Sequence, residues 1–281
     1  MSVNPRMNRL FAPNGKCLQV AMDHGVGNEA IEFEGIENMG QMVRVIAAAN
    51  PDAMLLTGGQ AHWLQDLPQR PKPALAVRAD VGSFANVPMP ENVFCTLIDG
   101  VVEQAVAWDA AAMVVNLLWA SDRPGLHPQC VENVIRLKPL CERYGLPMIV
   151  EPLVMVPDGR GGYKTNPDLR KTVALARQAV ELGADVVKAD IAENLEKYHL
   201  VVKAAAPRPL LPRGGARVSD FEILTRTHTL LEQGAAGIVY GRNIFQHPHP
   251  ARMVRACQAL IHEGATVAQA MAILEEVKSM A

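Results

Sequence analysis

Eight times along the chain a short apolar run is followed by a stretch of helical character, and this alternation limits the fold more than any other feature. The runs are CLQVAMDHG (17–25), DAMLLTGG (52–59), ALAVRAD (74–80), AAMVVNLLW (111–119), PMIVEPLV (147–154), ADVVKAD (184–190), PLLPRGG (209–215) and AAGIVYGR (235–242). Between them helices are expected around 36–49, 62–67, 97–109, 128–144, 168–182 and 195–205. Another is opened by Ser219 and Asp220, good N-cap residue types, and a last one covers 250–262. The runs are apolar without polar alternation, as strands covered on both faces should be. Several helices stop at a glycine just before the next strand, as in ELG (181–183) and EQG (232–234), which suits a C′ cap.

This order predicts an α/β protein built as a (β/α)8 TIM barrel. A doubly wound open sheet is the competing arrangement, but eight units and no GxGxxG after the first strand favour closure. The 281 residues suit one barrel domain spanning 1–281, with an additional C-terminal helix over about 267–280. No low-complexity linker divides the chain, and the Pro/Gly-rich PDGRGGYKTN (157–166) reads as a βα loop over the active site.

Apolar residues make up 49% and charged residues 20%, the balance of a cytosolic enzyme with a sizeable core. The net charge of −2 gives no reason to expect nucleic acid as a partner, so any phosphate should be held by a few local donors. The N-terminus has no apolar h-region, and no run approaches a membrane span, so a cytoplasmic protein without membrane attachment is expected. The five cysteines (17, 95, 130, 141, 257) are scattered and never in CxxC spacing; they read as reduced thiols, and neither a metal nor a cofactor is expected.

In such barrels reactive residues lie at the C-terminal strand ends, and phosphate is often held after strands seven and eight. Those ends carry Asp23 and His24; Thr57, Gly58 and Gly59; Arg78 and Asp80; Asn116; Glu151; Lys188 and Asp190; Arg213, Gly214 and Gly215; Gly241 and Arg242. Lys188 is the one lysine expected within a buried apolar strand, VVKAD. Burying an ammonium costs several kcal/mol unless it is paired or deprotonated, and a deprotonated amine can condense with a carbonyl. The other reading is a structural lysine paired with Glu151 or Asp23 across the barrel. Glu151, on the neighbouring strand, could move protons for imine chemistry or simply pair with Lys188. Asp23 could bind substrate hydroxyls or orient Lys188. His24 reads more readily as a hydrogen-bonded strand-end group than as an acid–base catalyst. RGG and YGR give two glycine turns whose backbone N–H groups could meet phosphate oxygens, with Arg242 as a charged donor and Arg217 as a further candidate; tight βα turns are the plainer alternative. The DGRGGYK loop (158–164) matches no Walker motif and is either a lid facing substrate or a solvated loop.

At AMDHG (21–25), GADVVKAD (183–190), RGG (213–215) and the long GAAGIVYGRNIFQHPHPARMVRACQALIH (234–262), the chain resembles class I aldolases of the deoxyribose-phosphate/lactose-type superfamily, over almost its whole length. It stands nearest the archaeal-type fructose-bisphosphate aldolases and the autoinducer-2-processing thiolase. The resemblance implies that Lys188 is the Schiff-base lysine and Asp23 the acid of the first-strand motif. It also implies that Gly214, Gly215, Gly241 and Arg242 hold phosphate. Two residues past Glu151, where archaeal-type fructose-bisphosphate aldolases carry a proton-donating tyrosine, this chain has Leu153. Glu151 is more similar to the strand-five glutamate of the tagatose-bisphosphate branch. The expected activity is therefore metal-independent aldol cleavage or synthesis on a phosphorylated ketose, with dihydroxyacetone phosphate or a related phosphorylated ketone, in a homo-oligomer of barrels. Acyl transfer on a phosphorylated diketone with coenzyme A, and a non-catalytic phosphosugar-binding barrel, stay open.

Overall fold

The structure is a computed structural model and describes residues 4–27, 33–83, 93–159 and 162–275. Eight parallel strands follow one another around a barrel: β1 (Cys17–Ala21), β2 (Ala53–Leu56), β3 (Ala74–Arg78), β6 (Ala112–Ala120), β7 (Met148–Pro157), β9 (Val186–Ala189), β10 (Leu210–Pro212) and β11 (Gly237–Tyr240). β11 pairs with β1, and a bridge between Arg213 and Val239 brings the other end of the sheet round to meet it. The closed barrel expected from the alternation is what forms.

The apolar runs hide a period of two that only the tertiary structure displays. One set of strand residues (Leu18, Val20, Met54, Leu75, Val77, Val115, Val150 and Val187 among them) packs outward against the helices. The alternate set (Cys17, Ala21, Leu55, Ala76, Val114, Ile149, Val186, Leu211 and Val239) forms a separate cluster within the barrel. Because side chains alternate across a strand, the residue two further on points the same way. Stepping up from that inner cluster gives Asp23, Thr57, Arg78, Asn116, Glu151, Lys188, Arg213 and Gly241. The apolar floor and the polar mouth of the barrel are thus successive layers of one inward face. The bottom is closed by α1 (Met7–Leu10), a helix the sequence reading did not anticipate, whose buried Leu10 joins the inner cluster.

The helices between strands are α2 (Met39–Ala49), α3 (Ala61–Gln65), α4 (Val101–Ala107), α5 (Leu126–Tyr144), α6 (Leu169–Glu181), α7 (His199–Ala205), α8 (Asp220–Glu232), the four-residue α9 (Arg242–Phe245) and α10 (Pro250–Glu263). Ser219 caps α8 by accepting from the Glu222 N–H at 3.2 Å. Gly183 and Gly234 adopt φ of +96° and +95°, the backbone that glycine C′ caps need. α11 (Val267–Glu275) packs on α8 and α10; the expected remainder of that helix lies outside the described residues. All five cysteines are buried. Among the described residues no helix is long and apolar enough to cross a membrane.

Two hairpins replace expected loops. β4 (Asp80–Ser83) pairs antiparallel with β5 (Phe94–Leu97), so the helix expected from residue 97 starts only at Val101. β7 runs three residues beyond the expected strand end and turns back as β8 (Tyr163–Thr165), so the segment 157–166 is in part a hairpin and Lys164 is a strand residue.

Candidate active site

The barrel mouth opens into a cavity of about 430 Å³, lined by the ends of seven strands and by the β7–β8 hairpin. The residues expected from the sequence to be catalytic or to hold substrate line it, Arg217 excepted: Asp23, His24, Glu151, Lys188, Gly214, Gly215, Gly241 and Arg242. Arg217 is exposed, and the lining ends one residue before it, at Ala216.

Lys188 Nζ donates to Glu151 Oε2 at 2.8 Å, and both side chains are about 95% buried. The same Glu151 oxygen accepts from Arg78 Nη2 at 2.6 Å. Arg78 Nε donates to Asp23 Oδ2 at 2.7 Å, and its Nη1 lies 3.5 Å from Asp80 Oδ1. Arg213 Nε stands 3.9 Å from the other Glu151 oxygen. Asp80 also takes the Asn116 backbone N–H at 2.7 Å, its amide at 3.2 Å and the Cys95 thiol at 3.2 Å. The mouth is therefore a buried network of three carboxylates held by Arg78, with the lysine at its edge.

Burial lowers the affinity of Lys188 for its proton; Glu151 opposes this, while the positive charge of Arg78 adds to it. For Glu151 burial acts the other way, but Lys188, Arg78 and Arg213 together hold the carboxyl well below the usual carboxylate range. Asp23 is likewise held low against burial, by Arg78 first and Lys188 next. Burial raises Asp80, with Arg78 only partly offsetting it. His24 is pushed down to about 4, by burial and then by Arg242, Lys188 and Arg213 against the pull of Asp23. It is therefore a neutral imidazole near pH 7, set edge-on to Phe245 at 5.2 Å, as befits a wall residue.

The two glycine turns work differently from one another. The Gly214 N–H donates to the Val239 carbonyl at 3.1 Å. Glycine is needed there because a Cβ would sit 2.8 Å from the Tyr240 ring. Gly215, at φ +67°, has open space where a Cβ would be. A Cβ on Gly241 would meet His24 Cε1 at 2.7 Å and the Ala21 carbonyl at 2.9 Å. α9, which follows, has only four residues, so its dipole is small and Arg242 supplies the charge of this turn. Asn243 ties the two turns together, donating to Ala216 O at 3.2 Å and accepting from Val218 N at 3.0 Å.

The sequence reading gave no role to Arg78, although a charge within ALAVRAD carried the same signal as the lysine in VVKAD. It missed Tyr163, which lines the cavity from β8. The Tyr163 hydroxyl donates to Asp122 at 2.5 Å and accepts from Arg123 at 2.9 Å, anchoring the hairpin to the segment after β6. Leu153 stands in the cavity wall.

Residues 17–247 match the profile of the DeoC/LacD family aldolases. The chain is 31% identical to an uncharacterised aldolase of Saccharolobus solfataricus, over 96% of this chain and 98% of that one. It is 26% identical to the 3-hydroxy-5-phosphonooxypentane-2,4-dione thiolase of an Enterobacter species, over 97% and 85%. Among solved structures, a Schiff base-forming fructose-1,6-bisphosphate aldolase superposes with a TM-score of 0.75 at 25% identity, covering 92% of this chain and 99% of that one.

Proposed function

The chain belongs to the DeoC/LacD aldolase family, and from that premise we propose that it makes or breaks a carbon–carbon bond of a phosphorylated ketose through an imine on Lys188. The observation that carries this reading is the position of Lys188: a buried amine, 2.8 Å from a carboxylate, in the same cavity as the Gly215 and Gly241 turns.

In this scheme the uncharged Lys188 amine attacks the ketone carbon, and loss of water leaves an iminium. A proton leaves the hydroxyl two carbons away from the imine carbon. The bond between that hydroxyl-bearing carbon and the carbon next to the imine breaks, and its electron pair flows into the iminium to give an enamine while the aldehyde departs. Glu151, ionised and oriented, accepts that proton directly or through water. Protonation of the enamine carbon and addition of water then return the ketone and the free amine. The iminium is the electron sink, so the scheme draws on no metal. Asp23 orients substrate hydroxyls beside Lys188. Phosphate contacts from Arg242 and the glycine turns supply binding energy away from the reacting centre and position the carbonyl. Leu153 cannot donate a proton, and Glu151, hydrogen-bonded to Lys188, is assigned that work. The same reading takes residues 1–281 as one barrel domain acting in a cytoplasmic homo-oligomer.

Borohydride reduction in the presence of dihydroxyacetone phosphate should fix an adduct on Lys188, found by peptide mass spectrometry. No adduct, or an adduct on another lysine, would overturn the scheme. The thiolase named among the relatives favours a second reading, acyl transfer from a phosphorylated diketone to coenzyme A. Consumption of coenzyme A separates the two.

A further inference from the structure

Arg78 carries no role in the scheme above, yet it bridges three carboxylates of the cavity. Each of its three nitrogens faces a different carboxylate: Nε Asp23 at 2.7 Å, Nη2 Glu151 at 2.6 Å and Nη1 Asp80 at 3.5 Å. Its fork is held in place from beyond by Asp80, which Asn116 fixes with two further hydrogen bonds. Glu151 therefore has two strong cationic partners on one oxygen, Arg78 and Lys188.

A nucleophilic lysine paired with a single buried carboxylate faces a physical conflict. Leaving the pair as a neutral amine would strand an uncompensated charge in the interior, which is strongly unfavourable. Here the second partner removes the conflict. We infer that Arg78 is the positioning residue that keeps Glu151 and Asp23 ionised and paired when Lys188 is uncharged, so that the amine can turn from its carboxylate to a substrate carbonyl. Arginine suits this task because its guanidinium does not lose a proton and its planar fork can serve two carboxylates in fixed directions. Arg213, at 3.9 Å from Glu151, is too distant to take over the same hydrogen bond.

The charges that face Lys188 are Glu151 from β7, Arg78 from β3, Asp23 from the end of β1 and Arg213 from the end of β10, with the neutral His24 beside Asp23. Removing Arg78 takes one positive charge from this set and leaves Lys188 as the cation within hydrogen-bond distance of Glu151, with Arg213 farther off at 3.9 Å. Both changes favour the ammonium, in the direction already given by the influence of Arg78 on Lys188.

The inference rests on Lys188 being the nucleophile for its consequence, but its test does not depend on turnover. Competitive labelling with acetic anhydride across a pH series, read on the Lys188 peptide by mass spectrometry, reports the titration of that amine in the whole protein. In Arg78→Gln the midpoint should rise by one pH unit or more, so that labelling of Lys188 at a fixed pH below it falls about tenfold. In Arg78→Lys, whose ammonium cannot serve both carboxylates at once, the midpoint should rise less. Circular dichroism identifies which variants fold. A midpoint unmoved in a folded variant of either kind overturns the inference. Failure of borohydride trapping in the parent protein would instead overturn the aldolase scheme and leave this result standing.

Discussion

Lys188 Nζ and Arg78 Nη2 reach the same oxygen of Glu151, at 2.8 and 2.6 Å. A carboxylate shared in this way stays paired whichever state the lysine is in. The arrangement couples a residue chosen for its chemistry to one that looks purely structural, and it makes the consequences of substitution in the barrel mouth unequal.

Lys188→Met should abolish borohydride trapping and lower kcat by at least about 10³-fold, because no other residue forms the imine. The fold should survive, since Glu151 keeps its 2.6 Å pair with Arg78 and is not left as an uncompensated buried charge when the lysine is removed. Urea unfolding within about 1 kcal/mol of the parent is the expected result.

Glu151→Gln should act on both activity and stability. Loss of the proton acceptor should lower kcat by about 10²–10⁴-fold. Loss of the charge between Arg78 and Lys188 should destabilise the fold by about 3 kcal/mol at pH 7. The folded Glu151 holds its proton less tightly than its ordinary value of 4.5, so its contribution to stability is whole above that pH and is lost as pH falls below it. The parent should therefore lose stability more steeply than the variant below about pH 4.5, as urea titrations at successive pH values would show.

His24 has the opposite chemistry and the same sign. It titrates near 6.5 unfolded and near 4 folded, so between those values the unfolded chain binds the extra proton. Its contribution is whole above pH 6.5 and is lost on the way down to 4. Comparing unfolding free energies at pH 7 and pH 4.5, His24→Gln should lose roughly 2–3 kcal/mol less than the parent. Equal losses would show that burial does not suppress protonation of His24.

Gly241→Ala places a methyl 2.7 Å from the His24 ring and 2.9 Å from the Ala21 carbonyl, so the turn must shift. KM for a phosphorylated ketose should rise about tenfold, while turnover of the unphosphorylated ketose changes little, because the phosphate contact alone is lost. Parallel effects on both substrates would count against a phosphate role for this turn.

The alternation of apolar runs and helices determined the barrel by itself, because strands buried on both faces and linked by helices have few ways to close. It also marked the strand ends, and there a charge within an apolar run was signal enough to find Lys188 and Glu151. Arg78 carried that signal too, but its meaning depends on register: pairing through β6 and β7 brings it near Glu151, and pairing through β2 and β1 brings it near Asp23. The hydrogen bond from the Gly214 N–H to Val239 was likewise invisible, because Val239 lies on a strand that comes alongside only once the barrel closes. Local periodicity is written in neighbouring residues and can be read along the chain. Which inward residues share a layer is set by strand stagger around the closed sheet, and that is a property of the tertiary structure alone.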